Sequence, residues 1–180
     1  MVSQSLVIPF STCGVFFMAS ESELRLHRCC FTGHRPEKLS TPEPLIIAAL
    51  RQEICAAVDA GFVTFISGMA RGVDIWAAEI VLELKAAGRP LHLICASPFE
   101  GFERSWAPDW QRRYSAVMAG ADLVRFICPA YSRSCFQIRN EWMVDHSALV
   151  IAAYNGESGG TRNTINYAAK HGVAVHNVLK

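Results

Sequence analysis

The sequence lacks the glycine-rich signatures of the two commonest nucleotide-binding folds. No GxGxxG motif follows the first predicted strand, and GxxxxGK[ST] occurs nowhere in the 180 residues. The first pattern is typical of NAD-dependent dehydrogenases, and the second holds phosphate groups in P-loop proteins. We therefore expect neither class of protein.

Clusters of positive charge are also absent from the sequence. The net charge is +1, and lysine and arginine form no continuous block. Strong, nonspecific binding of nucleic acid depends on such a basic surface, so the sequence argues against nucleic acid as a partner. Arginine nevertheless far outnumbers lysine, which suits two-pronged binding of phosphate or carboxylate groups.

The seven cysteines form no CxxC pair and no cluster with histidine at zinc-ligand spacing. Most of them lie in apolar segments, where a reduced cysteine behaves as a small buried hydrophobic residue. Reduced thiols are typical of the cytoplasm. The sequence therefore predicts a cytoplasmic protein without a metal site or a resident cofactor.

The first 17 residues are apolar but carry no basic start, and Pro9 and Gly14 interrupt them. This segment is too short for a membrane span and does not match a signal peptide. We interpret residues 1–17 as a dispensable extension, and we expect residues 18–180 to form a single domain with no membrane association.

Short apolar segments alternate with helical patterns along the rest of the chain. The predicted strands cover residues 28–32, 62–66, 91–96, 123–128, 149–154 and 173–178. The predicted helices cover residues 45–60, about 73–88, 109–119, 140–145 and 161–171. Apolar strands that alternate with helices predict an α/β fold, a mainly parallel sheet of about six strands flanked by helices on both faces.

Three segments that follow predicted strands share glycine, hydroxyl groups and arginine. They are TGHRP at 32–36, SGMARGVD at 67–74 and NGESGGTRN at 155–163. In parallel sheets, ligands bind at the carboxyl ends of the strands, and helix N-termini favour anions. Any one segment is also explained by a tight turn or a helix cap. All three together favour a phosphate-bearing ligand, with these candidate contacts: Gly33, His34, Arg35, Ser67, Gly68, Arg71, Gly72, Asp74, Asn155, Gly159, Gly160, Thr161 and Arg162.

Aromatic residues are concentrated in the long loop at 98–110, after the third predicted strand. Their rings could stack on a base, or they could anchor the loop to the domain, an interpretation that suits Trp110 at least as well. A second insertion, at 129–146, contributes further polar and aromatic candidates. The candidate base or ribose contacts are Phe99, Trp106, Tyr131, Arg139 and Asn140, together with Asn155.

Several of these motifs resemble known families. SGMARGVD resembles the SGxARGxD turn of the DNA-processing protein A family, and GESGGTR is similar to the PGGxGT phosphate loop of LOG phosphoribohydrolases, both in the SLOG superfamily. FTGHRPEKL, SGMARGVDIWAAE, PFEGFERSWAPDWQRRY and RNEWMVDHSALVIAAYNGESGGTRNTINYA, in this order, resemble the YpsA-type branch from about Cys29 onward. The resemblance implies a Rossmann-like fold and a nucleotide, nucleotide-sugar or ADP-ribose-like ligand.

The sequence departs from the enzymatic LOG pattern at one point. LOG enzymes have paired glutamates after the GT of the phosphate loop, whereas this chain has Asn163 and Thr164 at those positions. Neither side chain acts as a general acid or base at neutral pH. The remaining candidates for a catalytic role are Glu157, Glu79 and His34.

Two functions therefore stay open. The first is a sensor or regulatory protein that binds the phosphorylated ligand without converting it. The second is a nucleotide N-glycosidase or a (deoxy)ribosyl-transferring enzyme. Single-stranded DNA handling is a less favoured third, and the resemblance to Rossmann-like families suggests a homo-oligomer only by analogy.

Overall fold

The computed structural model describes residues 20–179, so the interpretation of residues 1–17 falls outside the described part of the chain. Six strands form the sheet: β1 (Arg28–Gly33), β2 (Thr64–Ser67), β3 (His92–Ser97), β4 (Leu123–Phe126), β5 (Leu149–Ala153) and β6 (Ala174–Asn177). Six α-helices accompany them: α1 (Glu21–Leu26), α2 (Glu43–Asp59), α3 (Val73–Ala86), α4 (Pro108–Gly120), α5 (Cys135–Asp145) and α6 (Gly160–Lys170). A 3₁₀ turn covers Pro36–Lys38.

All strand pairs in this sheet are parallel, and the strand order is β4-β3-β2-β1-β5-β6. Side chains alternate between the two faces, as the pleat of a strand requires. In β1, Cys29 and Phe31 lie in the core shared with α2, α3 and α4, whereas Cys30 lies in the core beneath α5 and α6. The prediction of an α/β fold with helices on both faces is therefore confirmed.

The edge strand β4 differs from the expectation that every strand is covered. Leu123 is 50% exposed and Phe126 is 42% exposed, and all four residues of β4 are exposed. Because β4 ends the sheet and pairs only with β3, an apolar sequence here does not imply burial on both faces.

Two helices also differ from the prediction. Helix α5 begins at Cys135, five residues before the predicted start, and α1 is a short helix that the sequence did not predict. A capping box in which Ser20 and Glu23 satisfy each other's backbone N–H groups explains the start of α1. Among the described residues, no helix has the length and apolar character needed to cross a membrane.

The sheet order contains one reversal, and it positions the site. From β1 to β4 each strand is added on the same side, and the chain then crosses back to place β5 on the other side of β1. The connections that leave β1 and β5 consequently run to opposite faces of the sheet. A crevice opens between them at the carboxyl ends of the strands, where doubly wound proteins bind their ligands.

Candidate functional site

A cavity of about 390 Å³, which we call the switch-point cavity, lies at this reversal. The end of β1 and the loop after it, the start of α6 and the cleft-facing side of α5 line it, together with Ala70 before α3 and Asp74 in its first turn. The lining residues are Phe31, Thr32, Gly33, His34, Arg35, Lys38, Ala70, Asp74, Phe102, Phe136, Arg139, Asn140, Gly159, Gly160 and Thr161. The cavity thus brings together parts of all three polar segments singled out in the sequence.

Arg139 is a buried cation in the wall of this cavity. Its side chain is 6% exposed, and Nη1 donates hydrogen bonds to the carbonyl oxygen of Gly68 and to Oδ2 of Asp74, the latter at 3.4 Å. Nε is buried and has no partner among the described residues. Burial lowers the pKa of Arg139 and raises that of Asp74, and the attraction between the two charges opposes both shifts.

The loop at 67–74 uses its polar groups internally. The Ser67 hydroxyl donates to the Asp74 carbonyl at 2.9 Å and accepts the Met69 N–H at 3.2 Å. The Ala70 N–H donates to Oδ2 of Asp74 at 3.2 Å. Within this loop φ is positive at Met69, where it is 63°, and at Gly72, where it is 90°, and not at Gly68. Ser67 therefore shapes the loop, the Gly68 carbonyl holds Arg139, and neither residue lines the switch-point cavity.

Close packing joins this loop to the segment that follows β1. A Cβ atom on Gly33 would overlap the Val73 side chain, and one on Gly72 would lie 2.8 Å from Cδ of Pro36. Arg71 forms an ion pair with Glu37 at 2.8 Å across the same junction. Gly33 and Gly72 thus permit contact between two loops, a role that the sequence alone does not separate from contact with a ligand.

The third polar segment, residues 155–163, has free space around its glycines at the start of α6. A Cβ atom on Gly159 would meet nothing within 4 Å, and one on Gly160 would meet only Nδ2 of Asn140, at 3.9 Å. The N-cap of α6, Gly159, provides no side-chain cap, so the N–H groups of the first turn are available at the cavity. Thr161 lies beside them and is buried. This helix start can accept an anion without rearrangement.

His34 lies in the wall of the switch-point cavity and is only 4% exposed. The centroid of its ring is 5.5 Å from that of the Tyr154 ring. Its Nε2 has no hydrogen-bond partner among the described residues. Burial lowers the pKa of His34, and Lys38 lowers it further, against the opposing effects of Glu157 and Asn155. The ring is consequently neutral near pH 7, so it offers a phosphate a hydrogen bond but no positive charge.

A second cavity of about 420 Å³, which we call the aromatic chamber, adjoins the first. Arg35, Phe102 and Phe136 line both cavities. The other lining residues of the chamber are Arg71, Phe99, Ser105, Trp106, Ala107 and Tyr131. Three predicted base contacts, Phe99, Trp106 and Tyr131, therefore share one chamber, whereas Arg139 and Asn140 line the switch-point cavity.

Sequence reasoning missed Phe136 as a lining residue of both cavities. Phe136, Arg139 and Asn140 follow one another at helical spacing and share a face of α5. A helix predicted to begin at residue 140 conceals that spacing. Trp110, by contrast, packs against Trp76 with ring centroids 6.2 Å apart and lines neither cavity, in agreement with an anchoring role.

Several candidate contacts lie outside both cavities. Asn155 donates from Nδ2 to the Lys38 carbonyl at 2.9 Å and accepts the Glu157 N–H at 3.1 Å, so it organises the loop after β5. Glu157 and Arg162 are exposed. Glu79 forms a two-pronged ion pair with Arg113, with one N–O distance of 2.7 Å.

Asp74 is the one carboxylate among the described residues that line either cavity. Because Arg139 and the Ala70 N–H already engage it, Asp74 is not a free general base. No group of three or more metal-ligating side chains occurs among residues 20–179. The arrangement is suited to holding an anion beside a planar aromatic group.

The strand order and the crevice at its reversal define a doubly wound, Rossmann-like α/β protein. The chain belongs to the YpsA family of the SLOG superfamily, because the YpsA family model, described as the YspA SLOG family, matches residues 29–178. The resemblance found in the sequence motifs is thereby confirmed.

Individual relatives and solved structures agree with this assignment. A UPF0398 protein of Bacillus thuringiensis (strain Al Hakam) is 31% identical over 147 residues, which cover 77% of this chain and 80% of that protein. The SPbeta prophage-derived protein YoqJ of Bacillus subtilis is 33% identical over 118 residues, 59% of this chain and 69% of YoqJ.

Two solved structures share the fold at low sequence identity. DNA processing protein A from Helicobacter pylori, described in its single-stranded DNA binding mode, has a TM-score of 0.56 and 19% identity, with coverage of 86% of this chain and 66% of that chain. The molybdenum cofactor binding protein from Rippkaea orientalis has a TM-score of 0.50 and 18% identity, with coverage of 84% and 76%. About a third of the DNA processing protein A chain has no counterpart here.

Proposed function

We propose that the protein binds a nucleotide or nucleotide-derived phosphorylated ligand in the switch-point cavity and acts as a sensor or regulatory binding protein. The observation that carries this proposal is Arg139, a buried cation in the cavity wall with an unpaired Nε. Buried polar groups are normally satisfied, so an orphaned donor on a charged side chain implies a missing partner. An anionic group is the partner that also compensates the charge.

The electrostatics of the lining residues support an anionic ligand. Three cations, Arg35, Lys38 and Arg139, line the cavity, against the single carboxylate of Asp74. The uncapped start of α6 adds N–H groups and the positive end of the helix dipole. These contributions converge on one cavity, as recognition of a phosphate requires.

The fold neighbours support the proposal at a coarser level. One of them binds single-stranded DNA, and the other binds the molybdenum cofactor. The fold therefore serves proteins with different ligands, and the cavity lining has to identify the ligand of this chain. A nucleotide suits both a phosphate site and an adjoining aromatic chamber.

Binding without turnover is the better-supported role. The alternative, N-glycosidic cleavage or ribosyl transfer, requires a carboxylate that is free to exchange protons at the ligand. Asp74 is engaged, and Glu157 and Glu79 line neither cavity. The six described cysteines are free thiols, which suits the cytoplasm as the place of action.

Thermal-shift screening with nucleotides, nucleotide sugars and dinucleotides tests the proposal, followed by chromatography of each stabilising ligand after incubation. We expect saturable binding and recovery of the intact ligand. Release of free base would establish the enzymatic alternative. A salt-sensitive mobility shift of single-stranded oligonucleotides, with no small-molecule binding, would replace both with nucleic acid binding.

A further inference from the structure

The aromatic chamber is lined by five rings, of which Phe102 and Trp106 also pack against the hydrophobic core. Phe99, Phe102, Trp106 and Phe136 are partly buried, and Tyr131 is 65% exposed. The rings meet edge to face: Phe102 and Trp106 lie 4.8 Å apart at 77°, and Phe99 and Tyr131 lie 5.7 Å apart at 74°. Edge-to-face contacts fix the orientation of each ring, and aromatic walls of this kind suit a planar heterocycle.

The two cavities belong to one cleft, because they share three lining residues. Phe102 and Phe136 form the apolar part of the junction, and Arg35 forms its charged part. Each cavity alone is near the lower end of the roughly 300–1,000 Å³ typical of small-molecule sites. A ligand that fills the cleft therefore reaches from one cavity into the other.

The two arginines of the chamber differ in availability. Arg71 is engaged by Glu37 at 2.8 Å. Arg35 is exposed, and no ion pair joins it to a described residue. Arg35 is also the one cation that lines both cavities. A negatively charged linkage that crosses the junction would lie against it.

We propose that the ligand has two distinct ends: a phosphate end in the switch-point cavity, and a planar, nucleobase-sized heterocycle in the aromatic chamber, with Arg35 at the linkage between them. This inference rests on the proposed function and narrows its ligand class. It identifies nucleoside diphosphates and their derivatives, and it disfavours sugar phosphates that lack a heterocycle. Phe102 and Phe136 are specificity-determining residues at the junction.

Paired probes test this inference on the full chain by calorimetry. Pyrophosphate presents the phosphate end alone, adenosine presents a heterocycle alone, and the diphosphates of adenosine, guanosine, cytidine and uridine present both. We expect at least one nucleoside diphosphate to bind at least about tenfold more tightly than pyrophosphate. Removal of one stacking aromatic typically weakens binding about 5- to 150-fold. Tyr131→Ala should therefore weaken the binding of that nucleoside diphosphate by such a factor and leave the affinity for pyrophosphate unchanged.

Tyr167→Ala is the matched control, because Tyr167 lies on α6 and lines neither cavity. It should leave both affinities unchanged. Trp106 provides an independent signal: a heterocycle in the chamber should quench its fluorescence, and Trp106→Phe should abolish that change while binding persists. Trp106→Phe keeps an aromatic ring in the wall.

The possible failures are distinguishable. Two results would contradict the two-ended ligand and leave the phosphate site in place. Either pyrophosphate and the nucleoside diphosphates bind equally, or Tyr131→Ala reduces both affinities alike. If no phosphorylated probe binds the wild-type chain, the proposed function itself fails. Binding of adenosine that survives Tyr131→Ala and leaves Trp106 fluorescence unchanged would place the heterocycle elsewhere.

Discussion

The guanidinium of Arg139 occupies the space in which a Cβ atom of Gly68 would stand, although the two residues are 71 positions apart. Gly68→Ala should therefore displace the guanidinium from both the Gly68 carbonyl and Asp74. We expect a loss of about 1–3 kcal/mol in the free energy of unfolding, as for other overpacked interiors, together with loss of phosphate-ligand binding. Chemical denaturation and calorimetry measure the two effects.

Gly160→Ala is the matched control for this substitution. A Cβ atom there meets only Nδ2 of Asn140, at 3.9 Å, and alanine is favoured in a helix. The free energy of unfolding should stay within about 0.5 kcal/mol of the wild-type value. Equal destabilisation by both substitutions would contradict the role assigned to Gly68.

Asp74 and Glu79 offer a second comparison, between a buried and a partly exposed ion pair. Asp74 and Arg139 are 7% and 6% exposed, whereas Glu79 and Arg113 are 29% and 32% exposed. Asp74→Asn leaves a buried arginine without its counter-charge and should lower the free energy of unfolding by about 3–5 kcal/mol. Glu79→Gln should lower it by only about 0–1 kcal/mol.

Urea denaturation of both variants at neutral pH measures this difference. Comparable losses of stability in the two variants would indicate that the carboxyl group of Asp74 is already uncharged in the native state. Added phosphate provides a further check. An anion that binds Arg139 should restore part of the stability of Asp74→Asn, because it supplies the missing negative charge.

The fold could be predicted because the periodicity of apolar residues distinguishes strands from helices. The position of the site could be predicted only from the residues that follow the strands. The segments after β1, β2 and β5 each contribute lining residues to the cavity at the sheet reversal, although not every glycine and arginine in them does so. The sequence cannot separate glycines that permit packing, such as Gly33 against Val73, from glycines that face open space, such as Gly159. That distinction depends on partners far away in the chain.

The lining of the aromatic chamber illustrates the same limit. Tyr131 and Trp106 come from different insertions, and only the fold brings them to one cavity. Phe136 escaped notice because α5 does not show the apolar periodicity of an amphipathic helix. Exposure of β4 was unpredictable for a related reason, since strand order and not strand composition decides which strand is at the edge.

The contact between Gly33 and Val73 predicts a non-additive pair of substitutions. Gly33→Ala alone should lower the free energy of unfolding by about 1–3 kcal/mol, because its Cβ atom would overlap the Val73 side chain. Val73→Ala alone should also destabilise, since Val73 is 1% exposed in the core. In the double variant the smaller side chain at 73 makes room for the new methyl group.

A double-mutant cycle by denaturation measures this coupling. We expect the double variant to be more stable than the sum of the single losses by about 0.5–3 kcal/mol. Strict additivity would show that the loop after β1 relieves the overlap by moving away from α3. In that case the switch-point cavity should change shape in Gly33→Ala, with a measurable loss of ligand affinity.

His34 predicts a pH dependence of stability. Burial and Lys38 lower its pKa in the folded state below the ordinary value of about 6.5, while Glu157 and Asn155 offset this only in part. The unfolded chain therefore binds a proton at this position before the folded chain does. The stability associated with neutral His34 should be fully present above pH 6.5 and should be lost as the pH falls from 6.5 through the lowered pKa.

His34→Gln should flatten this part of the stability profile, because glutamine does not titrate. Urea denaturation between pH 7.5 and about pH 5 measures the slope, and His92→Gln is the matched control, since the His92 side chain is 62% exposed and lines neither cavity. A slope that survives His34→Gln but disappears in His92→Gln would contradict the assignment. Saturation with the phosphate ligand provides the final discrimination. A ligand group that accepts a hydrogen bond from His34 favours the protonated ring and raises the folded-state pKa toward 6.5, so the loss of stability becomes smaller. A group that donates to Nε2 favours the neutral ring, lowers that pKa further and extends the loss to lower pH.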